Sequence, residues 1–215
     1  MIKYSPIDIT PNQFPPVTTR RDDATRDTLL RAADRLLVEQ GPSAITVRAI
    51  ATAAEMSTIN VYSRYGSKEG IVDELYRRGF ASLNSAMNEV PRTDDTLDDL
   101  RQIGVVYGEF ALENSAYYSL MFDRPVRYFE PSPESLSMAV DALRLLGERV
   151  RRCMDAGELA ESDETEVASS LWAAVHGVVC IERFKDFAPI PDWGRLYDTT
   201  VSALIRGLSA TPPAR

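Results

Sequence analysis

Cysteine and histidine are scarce in this 215-residue chain: it holds Cys153, Cys180 and a single histidine, His176. Two distant thiols make no disulfide framework, and a chain of this length buries about 70% of its unfolded surface without one. One imidazole excludes most metal cages and leaves little for a Cys–His nucleophile pair, so neither metal nor cofactor is expected. Long apolar runs are also missing. The weakly polar stretch Leu171–Ile181 is about half of the ~20 residues a membrane span needs. The opening MIKYSPIDITPNQFPP has no apolar core segment and does not read as a signal peptide. A reducing cytoplasm is the expected setting. Alternating β-type runs, internal repeats, glycine-rich phosphate loops and nucleophile motifs are all absent, so no enzyme is expected.

Charge is present but unevenly spread. The net charge is −8, yet residues 20–80 carry ten basic against nine acidic residues, while residues 81–215 carry 13 against 22. An acidic body repels nucleic acid, so any DNA contact belongs in the first third.

Helical periodicity dominates after residue 19. Residues 1–19, with Pro6, Pro11, Pro15 and Pro16, read as an extended or disordered arm. The pattern predicts an all-α chain of about nine helices. They lie near 22–40, 47–54, 57 or 58–65, 67–89, 94–113, 115–122, 133–156, 163–186 and 192–208. The first carries the stripe Leu29, Ala33, Leu36 and Leu37 and stops at Gly41-Pro42.

The second and third helices are too short to stand alone and must be held by packing. Ile50, Ala51, Ala54, Met56 and Val61 have the buried spacing of a helix-turn-helix. The third helix then presents Thr58, Asn60, Tyr62, Ser63 and Arg64 outwards, a polar and aromatic face suited to a major groove. Hydroxyls recur at helix starts, at Thr46, Ser57 and Ser67. They serve either local capping alone or, with the free N–H groups beside them, phosphate contacts. Lys68 stands in a first turn where the helix dipole favours an acid, which suits a phosphate in front of it.

The stretch Thr25–Leu75, centred on ITVRAIATAAEMSTINVYSRYGSKEGIVDEL, resembles the DNA-binding domain of TetR-family transcriptional regulators. The resemblance rests on Thr46, Arg48, Ile50-Ala51, Val61-Tyr62, Tyr65 and Ser67-Lys68-Glu69. It implies a DNA-binding domain over 20–68, with Thr46, Arg48, Ser57, Thr58, Asn60, Tyr62, Ser63, Arg64, Tyr65 and Lys68 at the DNA. Tyr62 and Lys68 would hold phosphates, and Thr58, Asn60 and Arg64 would sit nearer base edges. The family usually has glycine where this chain has Glu55. A side chain in a left-handed turn costs about 1–2 kcal/mol, which leaves room for another turn shape. Tyr65 replaces the usual phenylalanine and could add a phosphate-facing hydroxyl.

The same resemblance implies that residues 69–215 bind a small effector and form a homodimer on a palindromic operator. Trp172-x3-His176-Gly177 and Tyr117–Phe122 resemble one C-terminal subclass. Tyr107, Phe110, Tyr118, Met121, Phe122, Trp172 and His176 are the candidate ligand residues for a lipophilic or aromatic effector. Plain core packing of the aromatics, and a histidine satisfied by a backbone carbonyl, remain the alternatives. The eighth and ninth helices are apolar on more than one face, so Leu171, Val175, Val178, Val201, Leu204 and Leu208 are the candidate dimer interface. The function implied is a one-component repressor released by its effector. The competing readings are a helical binding protein or enzyme that has lost DNA binding, supported by Glu55 and the weakly charged head, and a helical adaptor.

Overall fold

A computed structural model describes residues 20–183 and 192–210. Among the described residues there are nine α-helices: α1 (Arg20–Gln40), α2 (Val47–Ala53), α3 (Thr58–Tyr65), α4 (Lys68–Glu89), α5 (Thr96–Glu113), α6 (Ser115–Phe122), α7 (Pro133–Asp155), α8 (Glu164–Glu182) and α9 (Trp193–Leu208). The all-α prediction holds, with boundaries within about two residues. The predicted arm at 1–19 and the predicted extension of the eighth helix over 184–186 lie outside the described residues. One short 3-10 helix, Pro42–Ala44, was not foreseen. It forms where Gly41 turns left-handed at φ 81° and Pro42 supplies a first-turn residue that has no N–H to leave unpaired.

The helix starts in the second half are set by side-chain acceptors. Asp95, Ser132, Asp163 and Asp192 accept from the N–H groups of Asp98, Ser135, Glu166 and Arg195. Each satisfies one of the orphan donors of a first turn.

Two apolar clusters result. The head cluster joins α1, α2 and α3 with Ile71, Val72 and Leu75 of α4. The body cluster runs from Tyr76 and Phe80 of α4 through α5, α7, α8 and α9. The predicted boundary at residue 68 therefore falls at the start of a helix that both clusters share. Leu120 of α6 and Val126 of the following loop also enter the head cluster, so the body reaches back into the head. Glycines at Gly104 and Gly108 leave room on α5 for Tyr197 and Trp193 of α9.

Candidate functional site

The head is a closed helix-turn-helix. Thr46 caps α2 by accepting from the Ala49 N–H at 3.1 Å. Ile50, Ala51 and Val61 are buried, and Ala54 and Met56 pack beside them. Glu55 takes φ 55°, a left-handed conformation. Its N–H donates to the Thr52 carbonyl at 3.1 Å, and the Met56 N–H donates to the Ala51 carbonyl at 2.9 Å. These are the two bonds that close a helix end with a left-handed residue. The expectation of a different turn is thus corrected: satisfied carbonyls and the packing of half-buried Met56 against the head cluster outweigh the cost of the side chain. The argument from Glu55 for lost DNA binding goes with it.

The outer face carries Thr46, Arg48, Ser57, Tyr62 and Ser63, all exposed, with Thr58 and Asn60 half-buried. Two predicted residues point elsewhere. Arg64 pairs with Asp22 of α1 at 2.5 Å. The Tyr65 hydroxyl donates to the Arg26 carbonyl at 2.9 Å, and the Arg26 guanidinium lies 4.5 Å from the Tyr65 ring centre. Burial raises the Tyr65 phenol above its ordinary value. Arg64 and Tyr65 therefore clamp α3 onto α1, and the proposed base-reading and phosphate-facing roles do not match this placement. The reason is spacing. Val61 faces inward, and residues three and four positions away share its side of the helix.

The capping expectation also needs correction at two serines. Neither Ser57 nor Ser67 caps its helix with its side chain. Ser57 Oγ accepts from the Asn60 amide at 3.2 Å. At the α4 start Glu69 supplies the acid that the dipole favours. A backbone N–H and the Ser67 hydroxyl hold its carboxyl below the usual range. Lys68 lies 3.7 Å from that carboxylate. Sequence reasoning missed Ile59, which is 73% exposed at the centre of the outer face beside Tyr62. The signal was available, since Ile59 lies two positions from buried Val61, on the opposite side of the helix.

The body encloses a cavity of about 330 Å³. Of the predicted ligand residues, Tyr107, Met121, Phe122 and Trp172 line it. Tyr118 and His176 stand behind them, and Phe110 faces a groove between α4 and α5 instead. The missed wall is the α4 stripe Tyr76, Phe80, Leu83 and Met87, whose spacing was readable as one helical face. Among the described residues, no Lys, Arg, Asp or Glu lines the cavity.

Tyr107 and Trp172 make a polar corner of the cavity wall. Trp172 Nε1–H donates to the Tyr107 hydroxyl at 3.2 Å. Tyr107 Oη lies 2.9 Å from His176 Nδ1 and 3.2 Å from Tyr118 Oη. Tyr118 Oη lies 2.6 Å from the same Nδ1. His176 is thus satisfied by phenols rather than by a backbone carbonyl. Burial pushes the Tyr107 phenol up to about 12 and raises Tyr118 further. Burial lowers the His176 imidazole, Asp123 opposes that and Arg183 adds to it, so the ring is neutral near pH 7.

Helix α6 joins the two regions. Met121 and Phe122 face the cavity, Leu120 is in the head cluster, and Tyr117 donates to Asp34 of α1.

Two family models match this sequence. One, bacterial regulatory proteins of the tetR family, matches residues 29–75, and the other, tetracyclin repressor-like C-terminal domain, matches residues 100–204. The chain belongs to the TetR family. A curated relative, the uncharacterized HTH-type transcriptional regulator YvkB of Bacillus subtilis (strain 168), is 24% identical over 160 residues, 71% of this chain and 80% of its own. Among solved structures, a protein of unknown function from Rhodococcus sp. RHA1 superposes with a TM-score of 0.74 at 18% identity, covering 86% of this chain and 95% of its own. The flavonoid-responsive regulator FrrA superposes with a TM-score of 0.64 at 21% identity, covering 89% and 100%. This TetR-family member is a DNA-binding transcriptional regulator, with its helix-turn-helix in the head and a ligand-binding body.

Four of the six predicted dimer residues are buried within this regulator's own body and two are half-buried. Leu171, Val175, Val178 and Val201 are buried within the chain's own body, and Leu204 and Leu208 pack against it. Helices α5 and α7 pack against α8, and α8 packs against α9. The outward residues are Ala173 and Ile181 on α8 and Ala203 and Gly207 on α9. No helix among the described residues is long and apolar enough to cross a membrane.

Proposed function

We propose that this regulator is a cytoplasmic repressor that leaves its operator when a neutral, lipophilic or aromatic molecule occupies the body cavity. The observation that carries the reading is the double attachment of α6, whose Met121 and Phe122 line the cavity while Tyr117 and Leu120 hold the head. A ligand that moves α6 acts on both. Release of 99% from an evenly balanced start needs about a 100-fold difference in affinity between the two states, or about 2.7 kcal/mol. The flavonoid-responsive neighbour shares the fold at low identity and makes an aromatic effector a natural class to test.

The regulator acts as a homodimer through the outer faces of α8 and α9, where Ala173, Gly177 and Ala203 allow close helix approach. A two-fold dimer places two recognition helices about 34–36 Å apart or somewhat more, one turn of DNA, on a palindromic operator. In the head, Tyr62 and Lys68 hold phosphates, while Thr58, Ile59 and Asn60 approach base edges. Selection of bound sequences from a random DNA pool with the purified full-length protein tests this. A palindromic site is expected, and recovery of no preferred sequence would refute the reading.

A further inference from the structure

The polar corner can be counted proton by proton. An indole N–H only donates, so one lone pair of Tyr107 is taken by Trp172. If the neutral His176 carries its proton on Nε2, Tyr118 donates to Nδ1, Tyr107 donates to Tyr118, and Tyr107 keeps one free lone pair. If the proton sits on Nδ1, the ring donates to Tyr118, Tyr118 donates to Tyr107, and the Tyr107 O–H is set free. Both arrangements make three hydrogen bonds within the corner at the observed distances. In both, the Tyr107 oxygen, which also lies 2.9 Å from His176 Nδ1, keeps one valence outside these three bonds, and Tyr107 lines the cavity. They differ only in whether that valence accepts or donates.

We propose that Tyr107 is a polar anchor of the effector cavity, and that His176 lets it serve either as acceptor or as donor. This inference rests on the effector reading above and adds the ligand's chemistry: a neutral, roughly bicyclic molecule with one polar group, either a donor or a carbonyl. The size follows from the volume. A dry cavity of about 150 Å³ takes benzene, and this one is about 330 Å³. Neutrality follows from the lining, which among the described residues offers a carboxylate or ammonium no counter-charge. His176 is a positioning residue, since it stands behind the wall and acts through the phenols. The relay needs no net proton transfer, only two hydroxyl rotations and a change of ring tautomer.

The test uses four probes of one shape with the full-length protein and calorimetric titration. Indole has a donor only, 1-indanone an acceptor only, indane neither, and indane-2-carboxylate a charge. Wild type is expected to bind the first three, and the carboxylate at least tenfold more weakly than indane. Tyr107→Phe keeps the ring and should weaken indole and 1-indanone about tenfold while leaving indane within twofold. His176→Leu removes the Nδ1 acceptor, so Tyr118 turns its proton to Tyr107, whose O–H is then fixed as a donor. That variant should retain 1-indanone and lose about tenfold for indole, a split that loosened packing would not produce. Equal losses for all three probes, or no loss for Tyr107→Phe, would overturn the anchor while leaving the cavity intact. Indanecarboxylate bound as tightly as indane would overturn the claim of neutrality. Failure of wild type to bind indane would overturn the effector-cavity reading itself, and the anchor with it.

Discussion

The phenol of Tyr117 on α6 donates to the carboxylate of Asp34 on α1, bridging 83 positions of sequence and joining the ligand-binding body to the DNA-binding head. Burial and the Asp34 carboxylate together raise the Tyr117 phenol well above its ordinary value, so it remains a donor across the working pH range. Tyr117→Phe should therefore cost about 1–2 kcal/mol in urea denaturation. It should also weaken the link between cavity and operator while leaving indane binding intact. An unchanged denaturation midpoint would show that the contact carries no stability.

Acid should attack the turn between α4 and α5 first. Asp99 is buried and accepts from Arg152 at 2.7 Å, the Thr93 N–H at 2.7 Å and the Thr93 hydroxyl at 2.9 Å. Arg149 lies beside it and donates to the Val90 and Pro91 carbonyls at 2.6 and 2.7 Å. Burial alone would raise the Asp99 carboxyl, but these hydrogen bonds outweigh it and hold the group below its ordinary 3.8. A depressed carboxyl contributes its full stability above the unfolded value and loses it as pH falls through the lower folded one. Stability measured from pH 6 down to 2 should thus decline below about pH 4. Asp99→Asn should cost about 3 kcal/mol at pH 7 and flatten that decline, because it leaves buried Arg149 and half-buried Arg152 with no carboxylate.

Gly108→Ala should displace α9. A methyl group there would run into the Trp193 ring, and one at Gly104 would meet Tyr197. The expected loss is about 1–3 kcal/mol for each, read as a lower thermal midpoint. A midpoint at or above wild type would contradict the close seating of α9 on α5.

At the DNA, Arg64 and Ile59 should exchange the roles that composition suggests. Arg64→Ala removes the tie to Asp22 and should cost stability of about 1 kcal/mol without relaxing one base position. Ile59→Ala should relax preference at one position by about 1 kcal/mol, since an exposed apolar side chain suits a thymine methyl. Lys68→Ala should weaken all sequences alike and reduce the salt slope by about one unit. Binding titrations on operator variants at several salt concentrations distinguish the three.

The proposed dimer surface separates two outcomes. Val175→Asp puts a charge into the chain's own core and should unfold it. Ala173→Asp lies on the exposed face and should give a folded monomer in sedimentation. A folded, monomeric Val175→Asp protein would restore the original assignment.

Local rules explain why so much was readable in advance. The helices, the cap at Thr46 and the buried set Ile50, Ala51 and Val61 follow from periodicity and capping, which act within four residues. The match around Thr46, Tyr62 and Lys68 was legible for the same reason, since the whole motif lies within one short segment. The rest depends on which helix covers which face, and no local pattern carries that information. Sequence alone showed that α8 and α9 are apolar on more than one side, but only the tertiary arrangement decided that α5 and α7 pack against α8 and that Leu171, Val175 and Val201 join the chain's own core. It likewise turned Arg64 and Tyr65 towards α1 and drew Tyr107, Tyr118, Trp172 and His176 into one corner. Those four residues come from α5, α6 and α8, and a hydrogen bond spanning 58 to 69 positions is set by packing rather than by propensity.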